Sequence, residues 1–361
     1  MKKTLLSLAA LTAITQAGGN IEAMTPLVDV IPEAQGSALD KVSFGGYGKM
    51  DYTNYQDRDG SNDKLDIYRF ILYVGYKFTD NIKLVSELEW EHGGKEKTGG
   101  YGIVEQAYLD FRVNNALNFK VGHVIVPVGM VNLYHEPTAF YSVARPGTEK
   151  HIVPSTWHEN GVIAHGKFAD GFSYQAGIVA GLNATKKDGS AIGSIRSMRQ
   201  NGQKSKAEDF AFVGRLDYKG AMFNVGGSYY TGDAGQGVSG VDVTTSVGEI
   251  HAGFNYAGFN VKGLYAINEI DGNQGTNTKG FGYYAMAGYT MGEWTPFAQF
   301  EKWDKDDSQT DGVTTDITLG LNWNPTPQVV LKADYVISKT NVAGTGDVDD
   351  NRFELGMGYN F

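Results

Sequence analysis

The chain has 361 residues, with 48 glycines, 21 tyrosines, 18 phenylalanines, no cysteine and a formal net charge of −10. A sequence without cysteine excludes disulfide frameworks, thiolate metal sites and cysteine nucleophiles, and its acidity argues against nucleic-acid binding, which wants a basic face. A mean hydropathy of −0.30 excludes a helical membrane protein but not a membrane β-barrel, where only every second strand residue meets lipid.

The N-terminus reads as a secretory signal peptide over residues 1–23. Lys2 and Lys3 form its basic region, Leu5 to Ile14 its apolar run, and Ala17 and Ala23 are the candidate cleavage points. The apolar run falls short of the roughly 20 residues a helix needs to span a bilayer. Residues 24–41 show no period and are interrupted by Pro26 and Pro32; they are expected to be a periplasmic lead-in.

From 42 to 361 the pattern is strand, turn, strand, loop, read as a single domain. The predicted strands are 42–55, 64–78, 81–92, 102–113, 117–126, 160–168, 171–183, 208–219, 221–232, 246–257, 259–269, 279–291, 293–304, 311–324, 327–341 and 350–361. Many have the roughly ten residues of a tilted strand crossing an outer membrane. Alternation supplies the faces. Ile82, Leu84, Leu88 and Trp90 share one side, while Lys83, Glu87, Glu89 and Glu91 share the other. Phe281, Tyr283, Ala285, Ala287, Tyr289 and Met291 form another apolar row, and Ile317, Leu319, Leu321 and Trp323 a third. The connections alternate between seven tight turns and eight longer loops. That count suits an even-stranded barrel with both ends on the turn side. The predicted fold is an all-β, sixteen-stranded antiparallel transmembrane β-barrel in the outer membrane of a Gram-negative bacterium.

The last strand alternates Phe353, Leu355, Met357, Tyr359 and Phe361 with Arg352, Glu354, Gly356, Gly358 and Asn360. An aromatic terminus inside a strand predicts pairing of the last strand with the first. Tyr359 and Phe361 resemble the ending that the barrel assembly machinery of outer-membrane proteins reads.

Sixteen strands enclose an aqueous channel, whereas eight would be filled by their own side chains. The expected pore wall includes Glu87, Glu89, Arg112, Arg215, Lys262 and Lys332. Ten basic against nine acidic inward positions leave anion or cation preference open. The loop 184–207 is basic, with Lys186, Lys187, Arg196 and Arg199 among its cations. It either folds inward to line an anion path or stays outside against acidic sugars. Asp-rich tips suggest divalent bridges to lipopolysaccharide, although solvated tips are the default.

The connection 127–159 is the longest, about 33 residues, and loops beyond roughly 12–15 residues are usually functional or disordered. Its apolar content, including Val131, Leu133, Tyr134, Phe140, Tyr141, Val143, Ile152, Val153 and Trp157, needs a surface. Four prolines restrict its backbone and lower the entropy lost on docking. It is expected to fold into the barrel and set its constriction through His135, Glu136, Arg145, Glu149, Lys150, His158 and Glu159.

Here a resemblance becomes specific. VGHVIVPVGM, HEPTAFYSVARP and IVPSTWHENG, between Lys120 and Gly166, resemble the phosphate-selective porin O/P superfamily. The match is strong over about fifty residues and weaker, but compatible in architecture, over the rest. The resemblance implies a sixteen-stranded, homotrimeric outer-membrane porin passing ions and small hydrophilic solutes by passive diffusion. The family's arginine ladder cannot be matched residue by residue, so phosphate is not carried over. No cofactor and no metal are expected. His135-Glu136, His151 and His158-Glu159 hint at a catalytic or metal-binding reading, but no nucleophile spacing, HExxH or EF-hand loop accompanies them. The alternative is a non-conducting structural or adhesive barrel, which would usually carry larger outer loops or a peptidoglycan-binding domain.

Overall fold

A computed structural model describes residues 41–58, 62–94, 99–185, 190–273 and 277–361. The expected signal peptide and all but the last residue of the lead-in lie outside the described residues. The strands are β1 Val42–Tyr55, β2 Lys64–Thr79, β3 Ile82–Glu91, β4 Tyr101–Arg112, β5 Asn118–Ile125, β6 His158–Ala169, β7 Phe172–Ala180, β8 Phe210–Lys219, β9 Phe223–Asp233, β10 Val243–Tyr256, β11 Phe259–Gly272, β12 Thr278–Tyr289, β13 Trp294–Asp304, β14 Thr314–Thr326, β15 Val329–Val342, β16 Gly346–Asp349 and β17 Arg352–Asn360.

Each strand pairs antiparallel with its neighbours, and the sheet closes on itself. The four-residue β16 and the longer β17 both pair with β15. They are two pieces of one stave, so the barrel has sixteen staves. Closure runs through β1 and β17, in a register that sets Tyr47 opposite Asn360 and Tyr55 opposite Arg352. Phe361 is part of that seam: its N–H donates to the Gly46 carbonyl at 2.9 Å and its carbonyl accepts from the Gly46 N–H at 3.0 Å. Closure pairs every backbone group that an edge strand would leave open, a requirement in hydrocarbon, where nothing else can satisfy them.

The faces follow the alternation. Ile317, Leu319 and Leu321 of β14 point outward, while Asp316 and Thr318 point in. Ala285 and Ala287 of β12 are exposed between the buried Tyr284 and Met286. The short turns are local chemistry. Between β10 and β11, Ala257 and Gly258 both have positive φ, 50° and 87°, the backbone that suits the right-handed twist of a two-residue hairpin. Aromatic pairs ring the turn side: Phe172 with Tyr218, Phe259 with Tyr289, and Trp294 stacked on Trp323 at 5.5 Å. Such a girdle suits a membrane interface.

Several strand ends differ from the sequence expectation by two or three residues, β11 (ending at Gly272 rather than 269) and β14 (starting at Thr314 rather than 311) among them. β6 starts at His158 rather than 160, β7 stops at Ala180 rather than 183, and β10 starts at Val243 rather than 246. His158 is drawn into β6 because it pairs with Ile125. The larger departure lies inside. The inner faces of β8 to β13 carry Val213, Tyr230, Val247, Leu264, Ala266, Tyr284, Met286 and Phe297, all buried in one apolar cluster. A water-filled tube would not bury them; the connection between β5 and β6 covers them.

Candidate functional site: a lumen occupied by the third outer loop

Residues 126–157 leave the end of β5, cross the interior and return to β6. Asn132 ties the two ends of this loop together. Its side-chain amide donates to the carbonyls of Val126 at 2.7 Å and Val128 at 3.1 Å, and its Oδ1 accepts from the Trp157 N–H at 2.6 Å. Val126, Val128, Tyr141, Ile152, Val153 and Trp157 join the apolar cluster. The Trp157 ring packs on Tyr230 at 4.5 Å, and Tyr141 stacks on Phe297 at 5.5 Å.

Polar anchors run from the loop to distant strands. The Lys332 ammonium on β15 donates to the Phe140 and Ser142 carbonyls at 2.6 and 3.0 Å. Lys262 on β11 donates to the Ala139 carbonyl at 2.9 Å, and Arg215 on β8 to the Gly129 carbonyl at 2.7 Å. Acidic wall residues hold loop amides instead: the Val143 N–H donates to Asp334 at 2.7 Å and the Thr148 N–H to Glu301 at 3.1 Å. The Tyr284 hydroxyl donates to Glu149 at 2.6 Å, and Glu149 also accepts from the Val131 N–H at 2.5 Å. Burial pushes the Glu149 carboxyl up, and these donors oppose the shift.

Of the expected pore-wall residues, Lys262, Lys332 and Arg215 are therefore loop anchors. Arg215 is also held by Asp217 at 2.7 Å, and more distantly by Glu249 at 3.4 Å. Glu87 accepts from Gln106 at 2.6 Å and faces His135 at 3.1 Å. Glu89 pairs with Arg69 at 2.6 Å. Arg112 stands apart, at the turn end of β4 beside Asp110 at 2.9 Å.

Of the seven expected constriction residues, Arg145, Lys150 and His158 line a cavity of about 790 Å³. His135, Glu136, Glu149 and Glu159 are buried beneath it. Glu136 is within 3.4 Å of the Tyr73 hydroxyl. Glu159 accepts from the Gln200 N–H at 2.9 Å, so it joins the third loop to the fourth. Burial opposes a charge on His135, but the adjacent Glu87 and Glu105 carboxylates push its imidazole up to about 10.

The fourth loop, 181–209, turns inward over a short helix, α1 Ile195–Met198, whose Ile195 and Met198 are buried. This brings Arg196 and Arg199 to the cavity. Lys186 and Lys187 lie outside the described residues. The Arg199 guanidinium donates to the Ser155 and Thr156 carbonyls, both at 3.2 Å. Burial and then the neighbouring Arg196 charge hold Arg199 down to about 10. Arg145, Lys150, Arg196 and Arg199 make no ion pair among the described residues. The opposite side of the cavity carries Glu89, Glu91, Asp316 and Glu354, largely paired with Arg69 and Arg352.

Sequence reasoning missed Glu105. Strict alternation puts it outward with Ala107. Instead β4 bulges: Glu87 pairs with Gln106 and Leu88 with Val104, so Glu105 is the extra residue and turns inward. The signal was two adjacent polar residues in an alternating strand. Inward glycines are a second signal. A Cβ at Gly288 would meet the Tyr141 ring at 2.8 Å, and one at Gly358 would meet Pro137 at 2.5 Å. These glycines mark where the loop lies against the wall.

Residues 42–361 match the family described as phosphate-selective porin O and P. The chain belongs to that family. An uncharacterised protein of Aquifex aeolicus (strain VF5) is 34% identical to this porin, over 82% of this chain and 75% of that protein. Among solved structures, the anion-selective porin from Comamonas acidovorans superposes with a TM-score of 0.65 at 15% identity, over 89% of this chain and 99% of that one. The trimer form of OmpT from Vibrio cholerae gives 0.60 at 16% identity, over 89% and 99%. This porin is an outer-membrane channel for solute diffusion.

Proposed function

We propose that the third loop sets the constriction of this porin and that the cavity above it favours anions. The observation that carries the reading is the set of four cations, Arg145, Lys150, Arg196 and Arg199, that line one cavity without ion-pair partners among the described residues. Most acids on the same cavity face a basic group: Glu89 and Glu91 face Arg69, Asp316 and Glu354 face Arg352, Asp51 faces Lys49, Asp350 faces Arg58 and Asp66 faces His92, while Glu301 holds the Thr148 N–H, so the four cations are the main unpaired charge there. Fixed charges act strongly on permeating ions where a pore is narrow and partly desolvated. Guanidinium groups also match phosphate oxygens in bidentate geometry, which makes phosphate the first solute to test. The same reading assigns no catalytic step to His135, Glu136, His158 or Glu159.

The test is planar-bilayer conductance with reversal potentials in a salt gradient. Anion preference is expected in the wild type, with a shift toward cations in Arg145→Gln/Arg196→Gln/Arg199→Gln. A cation-selective wild type, or no shift in the folded variant, would reject it. Absence of conductance in well-folded protein would favour a structural barrel.

The reading extends to assembly. A homotrimer is supported by the trimer form of the Vibrio cholerae relative and by Ala285 and Ala287 on the outer face of β12, where walls can approach closely. A monomer mass by light scattering in mild detergent would exclude it. Tyr359 and Phe361 serve as the signal for the barrel assembly machinery, so deleting Phe361 lowers the heat-modifiable folded fraction. Lipopolysaccharide meets the acidic outer tips.

A further inference from the structure

Beneath the cavity lies a group of side chains that solute diffusion does not explain. Arg69, Glu87, Glu89, Glu105 and His135 are all at most 3% exposed. They come from β2, β3, β4 and the third loop. Neither carboxylate oxygen of Glu105 has a hydrogen-bond donor; the nearby cationic atoms are His135 Nε2 at 3.4 Å and Arg69 Nη2 at 3.8 Å. A buried carboxylate so placed costs several kcal/mol, roughly, unless something compensates it.

We propose that His135 Nε2, Glu87 and Glu105 hold one divalent transition-metal ion, which fastens the third loop to the barrel wall. The three ligand atoms lie within 4.8 Å of one another. A tetrahedral ion with bonds of about 2.0–2.1 Å sets its ligand atoms about 3.3 Å apart. The Nε2 of His135 stands 3.1 Å from Glu87 Oε1 and 3.4 Å from Glu105 Oε2. The other ring nitrogen supports ligation: Nδ1 lies 3.0 Å from the Asn132 carbonyl and donates to it, so Nε2 is the nitrogen that gives up its proton when the ion binds. Metal-bound histidines usually donate their second nitrogen in this way. The Gln106 amide donates to Glu87 Oε2 at 2.6 Å and orients that carboxylate from behind.

Charge points the same way. Arg69 faces Glu91 as well, so Arg69 and a proton on His135 compensate only two of the four carboxylates Glu87, Glu89, Glu91 and Glu105. Arg69 and a divalent ion on neutral His135 compensate three. One imidazole with two carboxylates suits Zn²⁺ or Mn²⁺ better than Ca²⁺ or Mg²⁺, which take oxygen ligands alone. Glu89 and Glu91, beside Glu87 on β3, line the cavity. The ligand set is split between the loop, which carries His135, and the wall strands β3 and β4, so binding couples directly to loop position.

The experiment uses the folded porin in detergent, stripped with a chelator and dialysed against micromolar ZnCl₂ or MnCl₂. Metal content per chain is read by mass spectrometry, and the ligand field by the visible spectrum of the Co²⁺ form. About one ion per chain and a tetrahedral Co²⁺ spectrum are expected. His135→Gln and Glu105→Gln should abolish both, and Gln106→Ala should weaken binding by roughly tenfold or more. Glu136→Gln, outside the ligand set, should bind as wild type. Heat-modifiable mobility shows that each variant is folded. Substoichiometric metal in folded wild type, or full binding by folded His135→Gln, overturns the proposal and leaves His135 as an imidazolium clamp.

Discussion

The third loop and the loop between β13 and β14 leave the same rim of the barrel and go opposite ways. Residues 126–157 turn inward and bury Val126, Val128, Tyr141, Ile152 and Trp157. Residues 305–313 stay largely exposed and bond to one another and to neighbouring outer segments: Asp306 accepts from the Ser308 hydroxyl at 2.6 Å and from its N–H at 3.3 Å, and the Gly312 N–H donates to the Asn341 carbonyl at 2.8 Å. The first loop carries apolar side chains worth roughly 25 cal/mol per Å² buried, while the second carries Asp, Ser and Gln, which lose by leaving water. The wall completes the difference. Lys262, Lys332, Asp334 and Glu301 offer the third loop a donor or acceptor for its backbone as it crosses. The loop that enters this barrel combines apolar side chains that need cover with a wall that satisfies its backbone.

The largest effect should come from removing the loop. Deleting residues 134–150 is expected to raise single-channel conductance severalfold and to erase ion preference, with the barrel still heat-modifiable. Unchanged conductance in that folded variant would place the constriction elsewhere. Next comes Trp157→Ala, which empties a fully buried site and should cost about 3–5 kcal/mol of loop docking. Limited proteolysis of the loop in otherwise intact barrels reads this out; persistent protection would count against the apolar half of the comparison.

A smaller loss is expected for Lys332→Met. It leaves the Phe140 and Ser142 carbonyls without their donor, at about 1–3 kcal/mol. The expected signature is noisier open-channel current as the loop fluctuates. If the current stays quiet, the wall anchors are dispensable and burial alone decides. The smallest effect belongs to the outer loop. Asp306→Ala should change stability by no more than about 0.5 kcal/mol and leave conductance untouched; a clear conductance change would mean that this loop also reaches the pore.

Much of this was legible in the sequence, because a strand with one face in lipid and one in water must alternate. That period fixed the sixteen staves, the outward rows such as Ile317, Leu319 and Leu321, the seven tight turns, and the aromatic end that closes against β1. The apolar residues of the third loop also announced that it needed cover. What the period could not show is which inward charges meet the loop. Lys262 and Lys332 read as pore-wall residues because their partners, Ala139, Phe140 and Ser142, lie more than a hundred residues away. Glu105 was missed because a bulge shifts the register by one residue, and only the pairing of β3 with β4 reveals it. Arg196 and Arg199 became cavity residues because Ile195 and Met198 drew the fourth loop inward. Alternation is a local property of each strand and is written there; the meeting of loop and wall depends on closure of the whole barrel, so only the tertiary structure decided it.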